Sequence, residues 1–222
     1  MRVSYLDYLR GLAIISMAIF HFHYDLKIFG LVSTDFSSGF WFYFPRAIAF
    51  TFLFCVGASL YYAHEHGLDL NKLHQRQRKI FFSALGVSVV TYFLFPTQWI
   101  YFGTLHCIFV CSYIAAPLVK RPFWGRFLMV SILISQYFLD YDIKWVSSIL
   151  QRPSMDFIPF YPWLWCVLLG MSLAPVLRAY FERVKLYKIG FFGLLSQNSL
   201  KIYLLHQPLF FGVIQLYLYL KR

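Results

Sequence analysis

Residues 40–62 read FWFYFPRAIAFTFLFCVGASLYY, an apolar run carrying a single charge, Arg46. An α-helix rises 1.5 Å per residue, so about 20 such residues cross the roughly 30 Å of hydrocarbon in a bilayer. Outward from this run the pattern repeats. Further apolar blocks fall near residues 5–24, 80–96, 99–119, 123–139, 160–178 and 199–219, which with 40–62 predicts seven spans. The stretch 187–196 is apolar but too short to cross and is expected at the interface. Of the 222 residues, 60% are hydrophobic and 13% charged, where a soluble domain carries about 25% charged residues. Inside lipid every backbone polar group needs an internal partner, so the predicted fold class is all-α: a polytopic integral membrane helical bundle, residues 1–222 as one domain. Aromatic residues make up 22% of the chain, and much of the Trp and Tyr flanks the blocks as an interfacial belt would.

The loop charges predict the orientation. One side collects Arg2, Lys72, Arg76, Arg78, Lys79, Lys120, Arg121, Arg126, Arg178, Arg183, Lys185, Lys188 and Lys201. The other holds Lys27, Lys144, Arg152, Lys221 and Arg222 with Asp25, Asp35, Asp140, Asp142 and Asp156. By the positive-inside rule the N-terminus is cytoplasmic and the C-terminus outside, in a cell inner (plasma) membrane. This placement also accounts for the net charge of +11 without nucleic acid, for which no basic helix or motif is present. The first apolar block contains Asp7 and Arg10 and lacks a small-residue cleavage site, so it does not read as a removable signal. Cys55, Cys107, Cys111 and Cys166 lie in or beside apolar blocks and read as buried small hydrophobes, not as a disulfide or zinc framework. The loop 64–79, with His64, His66 and His74, fits no metal-ligand spacing and reads as a solvated cytoplasmic loop. No metal and no permanently bound cofactor is expected.

Ionisable groups within spans are costly and are therefore candidates for function. His21 and His23 lie toward the outer end of span one with Asp25 just beyond. Arg46 lies about two turns into span two, His106 lies in span four, His206 near the middle of span seven, and Asp156 just before span six. Their common level points to a polar cavity opening outward. His21 and Asp25 are spaced i, i+4 and share a helix face; either they cap the helix toward headgroups, or the carboxylate orients an imidazole that acts as general base. His106 and His206 either hydrogen-bond neighbouring helices or serve a site. Arg46 either snorkels to the interface or stabilises developing charge. Asp7 and Arg10, spaced i, i+3, either pair with each other or receive a charged part of a ligand.

Five blocks carry a family resemblance: Leu6-Asp7-Tyr8-Leu9-Arg10-Gly11-Leu12-Ala13 leading to Phe20-His21-Phe22-His23-Tyr24-Asp25-Leu26; Phe54-Cys55-Val56-Gly57-Ala58-Ser59-Leu60; Tyr101-Phe102-Gly103-Thr104-Leu105-His106-Cys107; Pro159-Phe160-Tyr161-Pro162-Trp163; and Ser199-Leu200-Lys201-Ile202-Tyr203-Leu204-Leu205-His206-Gln207-Pro208. In this order they resemble the heparan-α-glucosaminide N-acetyltransferase catalytic-domain family, and the Arg-Gly-through-His pattern is similar to membrane acyltransferases that acylate sugars. The resemblance implies a cytoplasmic acetyl-CoA donor, an acceptor sugar hydroxyl or amino group on an envelope glycan or glycolipid across the bilayer, and His21 as catalytic base. On the enzyme reading the expected catalytic residues are His21, Asp25, His106 and Arg46, and the expected binding residues are Asp7, Arg10, His23, Asp156, His206 and Gln207. Transfer can run directly or through an acetyl-histidine. The chain is similar in length to small bacterial members and much shorter than the eukaryotic lysosomal enzyme. A transporter or channel for a polar solute is the alternative reading of the same histidines; a non-catalytic envelope scaffold is a third. An oligomer is compatible with all three.

Overall fold

The computed structural model describes residues 4–139, 154–183 and 190–221. Among these residues the structure is helical, with no strand and one isolated parallel bridge between Phe102 and Phe157. The helices are α1 (Ser4–Ile28), α2 (Gly39–His64), α3 (Leu70–Leu94), α4 (Thr104–Ala115) continued by a 3₁₀ turn (Ala116–Lys120), α5 (Pro122–Leu139), α6 (Phe160–Arg183), α7 (Gly190–Gln197) and α8 (Ser199–Leu220). Every apolar block of the sequence falls on one of them. Three, α2, α6 and α8, are long and apolar enough to cross a membrane; Thr104–Lys120 is apolar but shorter. The orientation charges Arg2, Lys144, Arg152, Lys185, Lys188 and Arg222, with Asp140 and Asp142, lie outside the described residues, as do positions 187–189 of the short apolar stretch.

The expected loop 64–79 is mostly helix. Asp69 caps α3, its carboxylate accepting the Lys72 amide at 3.0 Å. The first turns of α3 are polar because only one stripe, Leu73, Gln77, Ile80, Ala84 and Ser88, is buried, so the helix begins ten residues before its apolar half. His64, expected in solvent, is 2% exposed and accepts the Asp69 amide at Nδ1 (3.3 Å).

The chain clusters into two compact units. In the Leu53–Tyr180 unit, α2 and α6 touch main chain to main chain. A Cβ on Gly57 would strike the Val167 carbonyl, and a Cβ on Gly170 would strike that of Phe54. Small residues at such a crossing let helix backbones approach, which compensates for the weak hydrophobic drive between helices in lipid. Tyr62 donates to the Ala174 carbonyl (2.6 Å), and Arg178 lies over Tyr62 while pairing with Glu65 at 2.9 Å. All four cysteines are buried free thiols, as expected.

In the unit formed by Arg2–Phe52 and Phe181–Arg222, α7 and α8 both pack on α1. Tyr8 stacks on Phe192 (4.6 Å). A Cβ on Gly11 would come within 2.5 Å of the same ring, so the glycine after Arg10 makes room for α7. Farther along α1, Phe22 meets Phe210 and Phe29 meets Phe211, at 5.4 and 5.3 Å.

Candidate functional site

Where α1 meets α8, the packing delivers polar side chains to one place. The His21 and His206 ring centroids are 4.8 Å apart. Gln207, the next residue of α8, donates from Nε2 to Asp25 Oδ1 at 3.4 Å. Asp25 is 0% exposed and His206 7%. Pro208 has no amide hydrogen for the Leu204 carbonyl, which loosens this turn of α8. The adjoining Tyr203 carbonyl is taken by His206, whose Nδ1–H donates to it at 2.7 Å. That bond sets the tautomer of the neutral ring, leaving a lone pair at Nε2.

Four polar atoms of this cluster are buried with no hydrogen-bond partner: His21 Nδ1, Asp25 Oδ2, His206 Nε2 and Gln207 Oε1. Buried polar atoms are nearly always paired, because desolvating one without compensation costs about 1–3 kcal/mol. Four such atoms together mark a place built for something else to complete. Asp25 Oδ2, Gln207 Oε1 and His206 Nε2 are all acceptors in these states. The cluster therefore asks for a ligand rich in O–H or N–H donors.

The expected i, i+4 pairing of His21 with Asp25 is not a hydrogen bond. Asp25 is held by Gln207, and His21 faces the ring of His206. The two residues share the site through α8, a partnership that local spacing cannot reveal. Arg46 is exposed and folds back on its own helix, donating to the Phe42 carbonyl at 2.5 Å with its guanidinium over the Phe42 ring. His23 also looks elsewhere, stacked on Trp41 (4.3 Å) and bonded through Nε2 to Thr34 Oγ1 (2.7 Å). Asp7 and Arg10 are half-buried near the start of α1.

His106 and Asp156 come together in the Leu53–Tyr180 unit, at the N-terminus of α4. The His106 Nδ1 accepts the Gly103 amide (3.1 Å), so in the neutral ring its hydrogen sits on Nε2 and points at Ser88 Oγ (3.2 Å). Ser88 in turn donates to the Ile100 carbonyl at 2.7 Å. Asp156 Oδ2 accepts both the amide and the hydroxyl of Thr104, at 2.9 and 3.1 Å. It arrives there because residues 98–102 pair with 155–158, through Met155 to Gln98 (2.9 Å) and Ile158 to Phe102 (3.2 Å). A Cβ on Gly103 would sit 2.5 Å from that carboxylate. Both ring nitrogens of His106 are thus engaged, and the Gly-Thr-Leu-His block reads as a helix cap reinforced by an acid at the positive end of the helix dipole.

Sequence reasoning missed Ser88, Thr104 and Tyr203. For Thr104 a signal existed: Gly-Thr directly before an apolar run is a helix-start pattern. Among the described residues no group of three or more His, Cys, Asp or Glu is arranged to hold a metal ion.

Comparison with protein families finds one match: the family described as heparan-alpha-glucosaminide N-acetyltransferase, catalytic, over residues 2–208. No curated protein and no solved structure matches the chain.

Proposed function

The chain belongs to the heparan-alpha-glucosaminide N-acetyltransferase catalytic family, and from that premise we propose that it moves an acetyl group from cytoplasmic acetyl-CoA to a hydroxyl or amino group of an envelope glycan or glycolipid. The family makes it an acetyltransferase of the membrane acyltransferase type and does not favour the transporter reading. Seven crossings with the N-terminus inside, in the cell inner membrane, are the topology proposed with it.

One observation carries the choice of site: the four unpartnered atoms of His21, Asp25, His206 and Gln207. A thioester carbonyl offers no donor hydrogen, whereas a sugar hydroxyl or amine offers one at the atom that reacts. The cluster suits the acetyl acceptor. In this mechanism the acceptor's O–H or N–H hydrogen-bonds to His21, which removes the proton as the oxygen or nitrogen bonds to the thioester carbon. The carbon–sulfur bond breaks, and the departing thiolate takes up the proton. Asp25 and Gln207 hold the remaining donors of the sugar, and the lone pair of His206 beside the His21 ring stabilises the imidazolium that forms.

The experiment is transfer of radiolabel from acetyl-CoA to a panel of envelope glycans by the purified, membrane-reconstituted protein, with His21→Ala as control. Labelling by the wild type and none by the variant is expected. Equal labelling by both would remove His21 from the chemistry. Acetyl-CoA-independent uptake of sugar by the vesicles would return the transporter reading.

A further inference from the structure

The acceptor cluster is closed in this structure. Its four unpartnered atoms are sealed from solvent, with Asp25 itself 0% exposed and His206 7%. A sugar hydroxyl or amine reaches them only after some packing parts. Helices α1 and α8 run in the same direction past the cluster: His21 lies beside His206, Asp25 beside Gln207, and one turn farther Phe29 lies beside Phe211 at 5.3 Å. Phe210, one turn beyond His206, meets Phe22 at 5.4 Å. Two aromatic pairs thus close the cleft next to the cluster, toward the C-terminal ends of both helices.

The α1 side of this closure is fixed. At the start of the helix Tyr5 stacks on Phe181 and Tyr8 on Phe192. Near its end His23 stacks on Trp41 and bonds Thr34, with Tyr24 against Phe36. The α8 side is lightly held. Among the described residues beyond Pro208, Ile214 alone is buried. Val213 and Leu216 are 52% and 58% exposed, and a Cβ on Gly212 would meet nothing within 4 Å. Segments with few buried apolar contacts open at low cost. Pro208 supplies a hinge, since the Leu204 carbonyl has no amide hydrogen to accept at the turn where the two halves of α8 join.

We propose that the C-terminal half of α8 is a gate hinged at Pro208, latched by Phe29 on Phe211 and Phe22 on Phe210, and that the acceptor enters the cluster when these pairs part. His206 and Gln207 lie before the hinge, so they keep their places beside His21 and Asp25 while the gate swings. Closing behind the acceptor shuts water out of the site and strengthens its hydrogen bonds, as lids do in other enzymes. The inference rests on the acceptor binding at His21, Asp25, His206 and Gln207.

The test links the gate shut. In the full chain in nanodiscs, Phe29→Cys and Phe211→Cys are joined by a short, reducible bis-methanethiosulfonate; the four native thiols are buried, so the reagent meets the introduced pair. Transfer of radiolabel from acetyl-CoA to the glycan panel is read before linking, after linking and after reduction. Linking should abolish transfer and reduction restore it, while Tyr8→Cys with Phe192→Cys, linked between α1 and α7, should keep its unlinked rate. In the otherwise unchanged chain, Pro208→Ala restores the missing helix bond. Transfer should then fall about fivefold, the weight of one hydrogen bond on opening, while the unfolding temperature rises. Transfer that continues at the unlinked rate with the gate linked overturns the gate and leaves the acceptor site standing. Equal loss from both links overturns the gate as well. If the cysteine pairs do not fold, Pro208→Ala decides: undiminished transfer, or a lowered unfolding temperature, overturns the gate. A wild type that labels no glycan overturns the acceptor site and the gate together.

Discussion

His21 and His106 are the same kind of residue on the same kind of apolar helix, yet the set around His21 is unfinished and the set around His106 complete. At the start of α4 both nitrogens of His106 are engaged, and Asp156 Oδ2 has two donors. Where α1 meets α8, each of four residues keeps a buried polar atom with nothing bound to it. An ionisable side chain in a membrane helix is a candidate for function by default, and this contrast sharpens that rule. On the function proposed above, the two histidines differ in how much of their bonding capacity the protein has already used.

His21→Ala tests this division directly. Transfer should fall by about 10²–10⁴-fold, the range for loss of a general base, with little change in thermal unfolding. A smaller kinetic loss follows for His206→Ala, about 10–100-fold in kcat, as the new charge on His21 loses the lone pair beside it. The capping residues should behave in the opposite way. His106→Ala leaves the Gly103 amide without its acceptor and Ser88 Oγ with the Ile100 carbonyl alone, and should cost about 1–3 kcal/mol of stability in detergent unfolding, while activity per folded molecule stays within about twofold. Asp156→Ala removes a helix cap and should cost about 1–2 kcal/mol in the same measurement. If His106→Ala leaves stability intact and abolishes transfer, the division between the two regions is wrong.

The smallest effect belongs to an exposed carboxylate. Hydrogen bonds from the Ser37 and Ser38 hydroxyls, then the Ser37 amide, hold Asp35 down at about 2 from its ordinary 3.8. A depressed carboxyl stabilises the folded state above its unfolded value and loses that contribution as pH falls through the folded one. The turn at residues 35–38 should therefore be fully formed above pH 3.8 and released near about 2, with transfer at neutral pH untouched by Asp35→Asn. An NMR titration of the Ser37 amide reads the first, the transfer assay the second.

The helices were legible because membrane burial writes itself into run length: each apolar block falls on a helix. The start of α3 was not, because its first turns are polar and only the cap Asp69 with Lys72 announces them. The site was half legible. His21, Asp25, His206 and Gln207 stand out as polar residues in apolar company. Their partnerships, His21 with His206 and Asp25 with Gln207, join positions at opposite ends of the chain, and helical spacing is blind to that. Spacing also allowed a bond between His21 and Asp25, and tertiary packing gives Asp25 to Gln207 instead. Arg46 shows the same limit, since a charge in a span can be satisfied by its own helix, here by the Phe42 carbonyl and ring.

The paired glycines of α2 and α6 carry a mechanical consequence. With Gly57 against Val167 and Gly170 against Phe54, no flexible side chain stands between the two backbones to absorb a slide. Shifting one helix along the other by a fraction of a turn carries a carbonyl off its glycine and toward a residue that has a Cβ, so this joint resists shear. A carrier that rocks open by sliding these two helices past each other would have to pull them apart first, whereas a catalyst gains from a frame that holds its shape through every turnover.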